Sequence, residues 1–219
     1  MASQFGLRPS RAAVLALVVA LLGPATTRPQ ADDLFDEIYR RGAPMEASLK
    51  TVSASFVETT TSTLLSRPLV LRGRVVAERP SNVVLTYEHP DPRVVRITDG
   101  RMTVDWPARQ LHESRDVRSA LQRATRTIVG KSPDELRKLF DITAVVDEDR
   151  PSTWKVTFVP RRRQLREGLE RLHLWIGQQS LLLESLEMDL PGGDRRRMDF
   201  SDVVVNPVVD PAVFTAPGR

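Results

Sequence analysis

The chain has 219 residues, is 41% hydrophobic and 27% charged, and carries a formal net charge of +4. That length limits it to one large domain or at most two, and with aromatics at only 5% the core must be packed mainly by aliphatic side chains. It has no cysteine, which excludes disulfides and a thiol-linked lipid anchor; its nearly balanced charge argues against a nucleic-acid binder.

Residues 1–25 have the pattern of a cleaved secretory leader. Arg8 and Arg11 form a basic start, Ala12–Gly23 is a twelve-residue apolar run, and Gly23-Pro24-Ala25 supplies small residues for cleavage, with Ala31 as a second position. Twelve apolar residues are too few to cross roughly 30 Å of hydrocarbon. Removing two arginines and no acid leaves 30 basic against 28 acidic side chains, a net +2. The expectation is a single soluble, exported domain over residues 26–219.

Ala31–Arg41 reads as a helix capped by Asp32 or Asp33, with Leu34, Phe35, Ile38 and Tyr39 on one side. Gly42 and Pro44 are expected to interrupt it, with a further helical turn over 45–50. Val52–Thr60 alternates as a first strand with Phe56 inward.

Leu69–Trp106 is the most informative stretch. Its β-branched runs are broken by Arg-Pro-Ser-Asn, His-Pro-Asp-Pro and Asp-Gly, the signature of an antiparallel meander. Leu69, Leu71, Gly73, Val75 and Ala77 share one face, and Arg79 falls on that same face if the strand continues. Val83, Leu85 and Tyr87 repeat the pattern, followed by Val95 and Ile97, then Met102, Val104 and Trp106.

Asp116–Val129 reads as a helix with an apolar stripe of Val117, Leu121, Ala124 and Ile128. A second helix begins at Ser132-Pro133-Asp134-Glu135, a capping box with proline at the first helical position, and ends near Phe140. Strands follow over 140–146, 153–159, 169–176, 181–190 and 195–205, with Trp154, Val156 and Phe158 on one face. Asp210-Pro211 starts one last turn, with Phe214 as a plug. The expected class is α+β, mainly β, with about ten strands joined by short links into one antiparallel sheet. A sheet that wide curls, and so few helices leave a concave apolar face partly uncovered. Candidate wall residues for that face are Phe56, Leu71, Val75, Leu85, Tyr87, Ile97, Trp106 and Trp154.

Catalytic signatures are missing. His89, His112 and His173 lie in different elements, and no metal-binding spacing, nucleophile elbow or phosphate loop occurs. Acid pairs such as Asp32-Asp33 and the run Asp147-Glu148-Asp149 read as caps and turns. The expectation is a non-enzyme without cofactor or metal. The runs Arg161–Arg163 and Arg195–Arg197 read as a solvated loop and a strand edge, against the alternative of contact with anionic headgroups or an acidic partner.

Several short segments, in order, resemble the periplasmic outer-membrane lipoprotein carrier family (LolA-like). They are Ser55-Phe56, Gly73, Glu78-Arg79-Pro80, Tyr87, Pro90, Ile97-Thr98-Asp99-Gly100, Val156–Pro160, Asp199–Asp202, Asn206 and Asp210–Phe214, spread over residues 34–217. The resemblance implies an unclosed half-barrel lidded by helices, with an apolar cavity for the acyl chains of lipoproteins or another exported lipid. It implies a monomeric chaperone that takes cargo from an inner-membrane transporter and passes it to an outer-membrane acceptor. It also implies that Arg79 locks the lid by bonding to its backbone; candidate lid residues are Leu121, Ile128 and Leu136. The chain departs from the pattern in ending soon after Phe214, without the extra C-terminal strand of some members, and in having fewer aromatics on its cavity strands. Two other readings are a half-barrel that senses lipid or misfolded protein, and a periplasmic scaffold with a filled interior.

Overall fold

The computed structural model describes residues 34–119, 122 and 131–215. The proposed leader, and the lid positions Leu121 and Ile128, lie outside the described residues. Among the described residues no helix is long and apolar enough to cross a membrane.

Among the described residues eleven antiparallel strands form one sheet: β1 (Thr51–Thr61), β2 (Leu69–Glu78), β3 (Asn82–His89), β4 (Arg93–Thr98), β5 (Arg101–Trp106), β6 (Leu111–Asp116), β7 (Phe140–Val146), β8 (Thr153–Pro160), β9 (Arg171–Gly177), β10 (Leu183–Asp189) and β11 (Arg195–Val205). Their order across the sheet is β6-β5-β4-β3-β2-β1-β11-β10-β9-β8-β7. The chain starts at the centre, steps outward hairpin by hairpin to β6, crosses to the opposite edge at β7, and steps back inward. Only the pairing of β1 with β11 joins strands distant in sequence, and it sets Phe56 opposite Phe200. Strands β6 and β7 are the two edges and do not pair, so the barrel stays open.

The turns follow their residues. Asp99 and Gly100 have φ of 51° and 75° and link β4 to β5 in two residues, as a tight hairpin requires. Gly73 meets a close approach instead: a Cβ there would lie 2.2 Å from the Thr86 carbonyl oxygen and 2.9 Å from the Phe56 ring.

Helix α1 spans Leu34–Ser48 and runs straight through Gly42 and Pro44, where an interruption was expected. Proline in a helix interior costs about 3 kcal/mol. Burial of Phe35, Ile38, Tyr39, Gly42 and Glu46 against the sheet offsets that cost. Phe35 meets Phe158 edge-on at 5.8 Å, and the Tyr39 hydroxyl donates to the Lys131 carbonyl at 2.8 Å. The short helix α2 (Pro133–Arg137) has the expected reciprocal cap: Ser132 Oγ accepts from Glu135 N–H at 3.3 Å, and Glu135 Oε2 accepts from Ser132 N–H at 2.9 Å. A four-residue helix α3 (Arg163–Arg166) sits in the basic loop.

Strand β6 was not anticipated. Its residues, Leu-His-Glu-Ser-Arg-Asp, carry no apolar alternation, and it forms by extending the meander past a 3-10 turn at Pro107–Arg109. The last 3-10 turn, Pro211–Phe214, packs on β3 and β4, where Arg96 Nε donates to the Val213 carbonyl.

Candidate functional site

Between α1 and the concave face lies an apolar cavity of about 180 Å³. Its roof is Phe35, Ile38, Tyr39, Met45 and Glu46 of α1, with Leu49. Its floor is the central strands, including Val52 and Ala54 of β1, Val75 and Ala77 of β2, and Val83 and Leu85 of β3. The other wing contributes Val156 and Phe158, Leu174 and Ile176, Leu186, and Met198, Phe200 and Val203. Leu136 of α2 also lines it. Among the described residues Glu46 is the only carboxylate in the lining, and it is 7% exposed.

Volume decides what fits. An engineered apolar cavity of about 150 Å³ takes benzene, whereas sites enclosing drug-sized ligands hold roughly 300–1,000 Å³. The cavity has room for a short stretch of hydrocarbon. A full acyl tail requires the roof or rim to move.

Two arginines fasten the roof. Arg79 Nη1 donates to the Glu46 carbonyl at 2.7 Å, and its Nη2 pairs with Glu46 Oε1 at 2.7 Å. The carbonyl belongs to the last turn of α1, one of the four that a helix leaves without an internal partner. Asn206, at φ 54°, holds the same junction: Oδ1 accepts from Lys50 N–H at 2.7 Å, and Nδ2 donates to the Ser48 carbonyl at 3.1 Å. At the other side Arg41 donates to the Gln178 carbonyl at 2.7 Å and stacks over the Trp154 ring at 4.8 Å. The β9–β10 loop there carries Leu181 and Leu182, and β10 begins at Leu183; all three line the cavity. Leu181 sits at φ 58°, a left-handed conformation that costs a bulky residue about 1–2 kcal/mol. A polar vestibule of about 420 Å³, lined by Glu46, Ala47, Leu49, Lys50, Thr51, Glu78 and Arg79, adjoins the cavity through Glu46 and Leu49.

Of the wall residues expected from alternation, Val75 and Leu85 line the cavity; of the lid residues, so does Leu136. Phe56, Leu71, Tyr87, Ile97, Trp106 and Trp154 are buried but lie outside the lining. Phe56 and Tyr87 pack edge-on at 5.2 Å beyond the cavity, next to a buried polar group. There Glu58, 2% exposed, accepts from the Tyr87 hydroxyl at 2.7 Å and pairs with Arg196 at 3.3 Å. Burial and the Glu58 carboxylate hold the Tyr87 phenol well above its ordinary value, so it stays a donor. Trp106 donates to Asp91, which also binds Arg93 and Arg109. Period-two spacing identified the inward face, but how far along each strand the hollow extends depends on α1, whose stripe at 34–39 was the available signal.

The run Arg195–Arg197 is not at a strand edge, because β11 lies at the sheet centre. Arg195 bonds Asp189 at 2.9 Å, Arg196 pairs with Glu58, and Arg197 bonds Asp199 at 2.8 Å. On the convex face Trp175 donates to Asp147 and is ringed by Arg150, Lys155 and Arg197 at 5.1, 5.1 and 4.7 Å. Burial pushes the Asp199 carboxyl up, but hydrogen bonds from Arg197 and Ser185 win and hold it below its ordinary value. His173, whose sequence neighbours offer no ligand, meets Glu187 and Asp189 across β9 and β10 with donor atoms within 4.8 Å. Arg195 and Arg197 already neutralise both carboxylates, so the cluster reads as a charge ladder and not as a metal site.

A family model described as outer membrane lipoprotein carrier protein LolA matches residues 47–217. The chain belongs to the LolA family. The match spans β1 to the last turn, and so includes both Arg79 and the strands under the cavity. Among solved structures, an uncharacterized conserved protein from Thermus thermophilus is 10% identical with a TM-score of 0.51, over 84% of this chain and 95% of that one. Lipoprotein LppX of Mycobacterium tuberculosis is 16% identical with a TM-score of 0.46, over 79% and 96%. MucB, in the Pseudomonas aeruginosa MucA/MucB complex, is 14% identical with a TM-score of 0.44, over 77% and 56%. At these identities the likeness concerns the fold. No curated protein matches the sequence.

Proposed function

We propose that this chain is an exported carrier that holds the acyl tail of a lipoprotein, or of a related lipid, beneath α1 and moves it from the inner to the outer membrane. An inner-membrane transporter loads it and an outer-membrane acceptor empties it; the carrier itself works as a monomer. One observation carries the reading: an apolar cavity with a single carboxylate among the described residues of its lining, roofed by a helix whose last turn is pinned by Arg79.

The pin answers a physical problem. Each methylene removed from water contributes roughly 0.8 kcal/mol, so a carrier that kept the full gain of a long tail would never release it. A stable empty form lowers the net affinity, because loading must first break the Arg79 contacts. Bonds of this charge-assisted kind are worth about 1.5–3 kcal/mol. The lower end applies here, since the Arg79 side chain is 33% exposed.

The test uses the mature protein, a labelled acyl probe and acceptor vesicles. R79L takes up probe to the wild-type extent and transfers it several-fold more slowly; E46Q, which keeps the carbonyl bond, shifts transfer in the same direction by less. Wild-type transfer by R79L removes the pin from the mechanism. Failure of the wild-type protein to take up any acyl probe removes the carrier reading.

A further inference from the structure

The two open edges of the sheet differ. Strand β6 is polar, with Glu113 and Arg115 paired at 3.6 Å, and charge along an edge discourages a further strand. Strand β7 reads Phe-Asp-Ile-Thr-Ala-Val-Val, rich in residues that favour pairing, with Val145 and Val146 53% and 48% exposed. In an antiparallel ladder alternate residues turn both N–H and C=O towards the same neighbour. Asp147 N–H donates to the Thr153 carbonyl at 3.0 Å and Arg161 N–H to the Leu139 carbonyl at 2.9 Å, in register with the β7–β8 pairs. The odd-numbered residues thus bond to β8, and Ile142, Ala144 and Val146 direct their N–H and C=O away from the sheet. Among the described residues no backbone partner meets them. Their side chains share the face of buried Phe140, and Ile142 and Ala144 pack against the core.

Charge of opposite sign brackets this edge. Past Val146 the turn 147–150 carries three acids and one arginine. Trp175 and Arg150 engage Asp147, and Glu148 and Asp149 are exposed, with no ion pair among the described residues. Beside Phe140 the loop 161–167 carries four arginines and one glutamate. Arg161 pairs with Asp141 at 2.5 Å and Arg163 with Glu167 at 3.8 Å; Arg162 and Arg166 are exposed, with no ion pair among the described residues. We infer that β7 is a docking edge for an extended polypeptide segment with a basic N-terminal flank and an acidic C-terminal flank. Antiparallel to β7, like every neighbouring pair in the sheet, the segment starts at Glu148 and Asp149 and ends at Arg162 and Arg166 about seven residues later. Backbone bonds supply the affinity and the two charged ends set the direction. Alternate apolar residues opposite Val146, Ala144 and Ile142 widen the apolar face by one strand. This site goes beyond the carrier reading and does not depend on it.

The experiment measures binding to the mature protein of three peptides with capped termini. They are Lys-Lys-Val-Thr-Val-Thr-Val-Glu-Glu, its charge-swapped counterpart Glu-Glu-Val-Thr-Val-Thr-Val-Lys-Lys, and the first peptide N-methylated at its valines. The first binds about tenfold more tightly than the swapped one, as several exposed ion pairs together predict. The N-methylated peptide, which cannot donate to the outward carbonyls, does not bind measurably. A144P removes one outward N–H and no bond to β8, a change an edge strand tolerates; it keeps the wild-type unfolding midpoint and binds the first peptide about tenfold more weakly. Reversing all four charges, with E148K, D149K, R162E and R166E together, inverts the preference between the two charge orders. Equal affinity for both orders in the wild-type protein overturns the partner's chemistry. Undiminished binding of the N-methylated peptide, or no binding of any peptide, overturns strand addition. A wild-type dimer that A144P converts to monomer assigns the edge to a second copy of the chain and overturns the peptide site.

Discussion

Along β1, Val52 and Ala54 line a cavity, whereas Glu58, further along the same inward face, is sealed under Tyr87 and Arg196. The neighbours change in step. On β2 the lining residues Ala77 and Val75 give way to Gly73 and Leu71; on β3, Val83 and Leu85 give way to Tyr87. The α1 end of the concave face is thus hollow and greasy, and the far end is filled and polar. The difference is one of cover. At one end a helix bridges the curved sheet and leaves space below it. At the other, Gly73 lets the Phe56 ring close in, and a carboxylate with its partners fills what remains. A buried carboxylate tolerates this only with its donors in place.

Four measurements test that contrast, in decreasing order of expected effect. E58A strips the polar end of its carboxylate and leaves Arg196 facing the core; chemical denaturation should show a loss of about 3 kcal/mol, at the low end for a broken buried pair because Arg196 is partly exposed. A loss under about 1 kcal/mol would mean that the filled end is not held by its charges. G73A presses a methyl group against the Thr86 carbonyl and should cost about 2–3 kcal/mol, with tail binding affected only through lost stability. A54L, at the hollow end, should do the reverse: unfolding changes by less than about 1 kcal/mol because the side chain enters free space, while acyl-probe affinity falls about tenfold. If A54L destabilised the fold as much as G73A, the two ends would be equally packed.

The smallest effect belongs to the convex face. Burial first, and then Lys155, lower the His173 pKa from its ordinary 6.5, against the opposing pull of Asp189 and Glu187. The folded protein therefore binds that proton less readily than the unfolded chain. Stability from this group is complete above about pH 6.5 and is lost as pH falls from there through the lower folded value. H173Q should flatten the fall in unfolding free energy between about pH 7.5 and pH 5.5 without altering probe binding. An unchanged slope would assign the pH dependence to other groups.

Much of this architecture is written locally. The alternation in β2 and β3 identified their inward faces, the Asp99-Gly100 turn fixed its hairpin, and the Ser132–Glu135 cap formed as its residues demand. Strand β6 escaped because a polar edge strand has no hydrophobic alternation to read. The interruption expected at Gly42 and Pro44 is absent because burial outweighs helix propensity. Within the candidate site, Val75, Leu85 and Leu136 were legible, and Arg79 was placed on the inward face. Glu46 and Leu49 were not, since nothing local marks a residue that meets the sheet only after α1 docks.

The sequence by itself determined which face of each strand is apolar, where most hairpins turn and that the sheet is antiparallel, because these depend on side-chain period and turn chemistry within a few residues. Tertiary structure alone decided that β1 pairs with β11, that α1 is the roof, and that the hollow ends where Glu58 begins. A period of two tells which way a side chain points; what stands opposite it is set by segments far away in the chain.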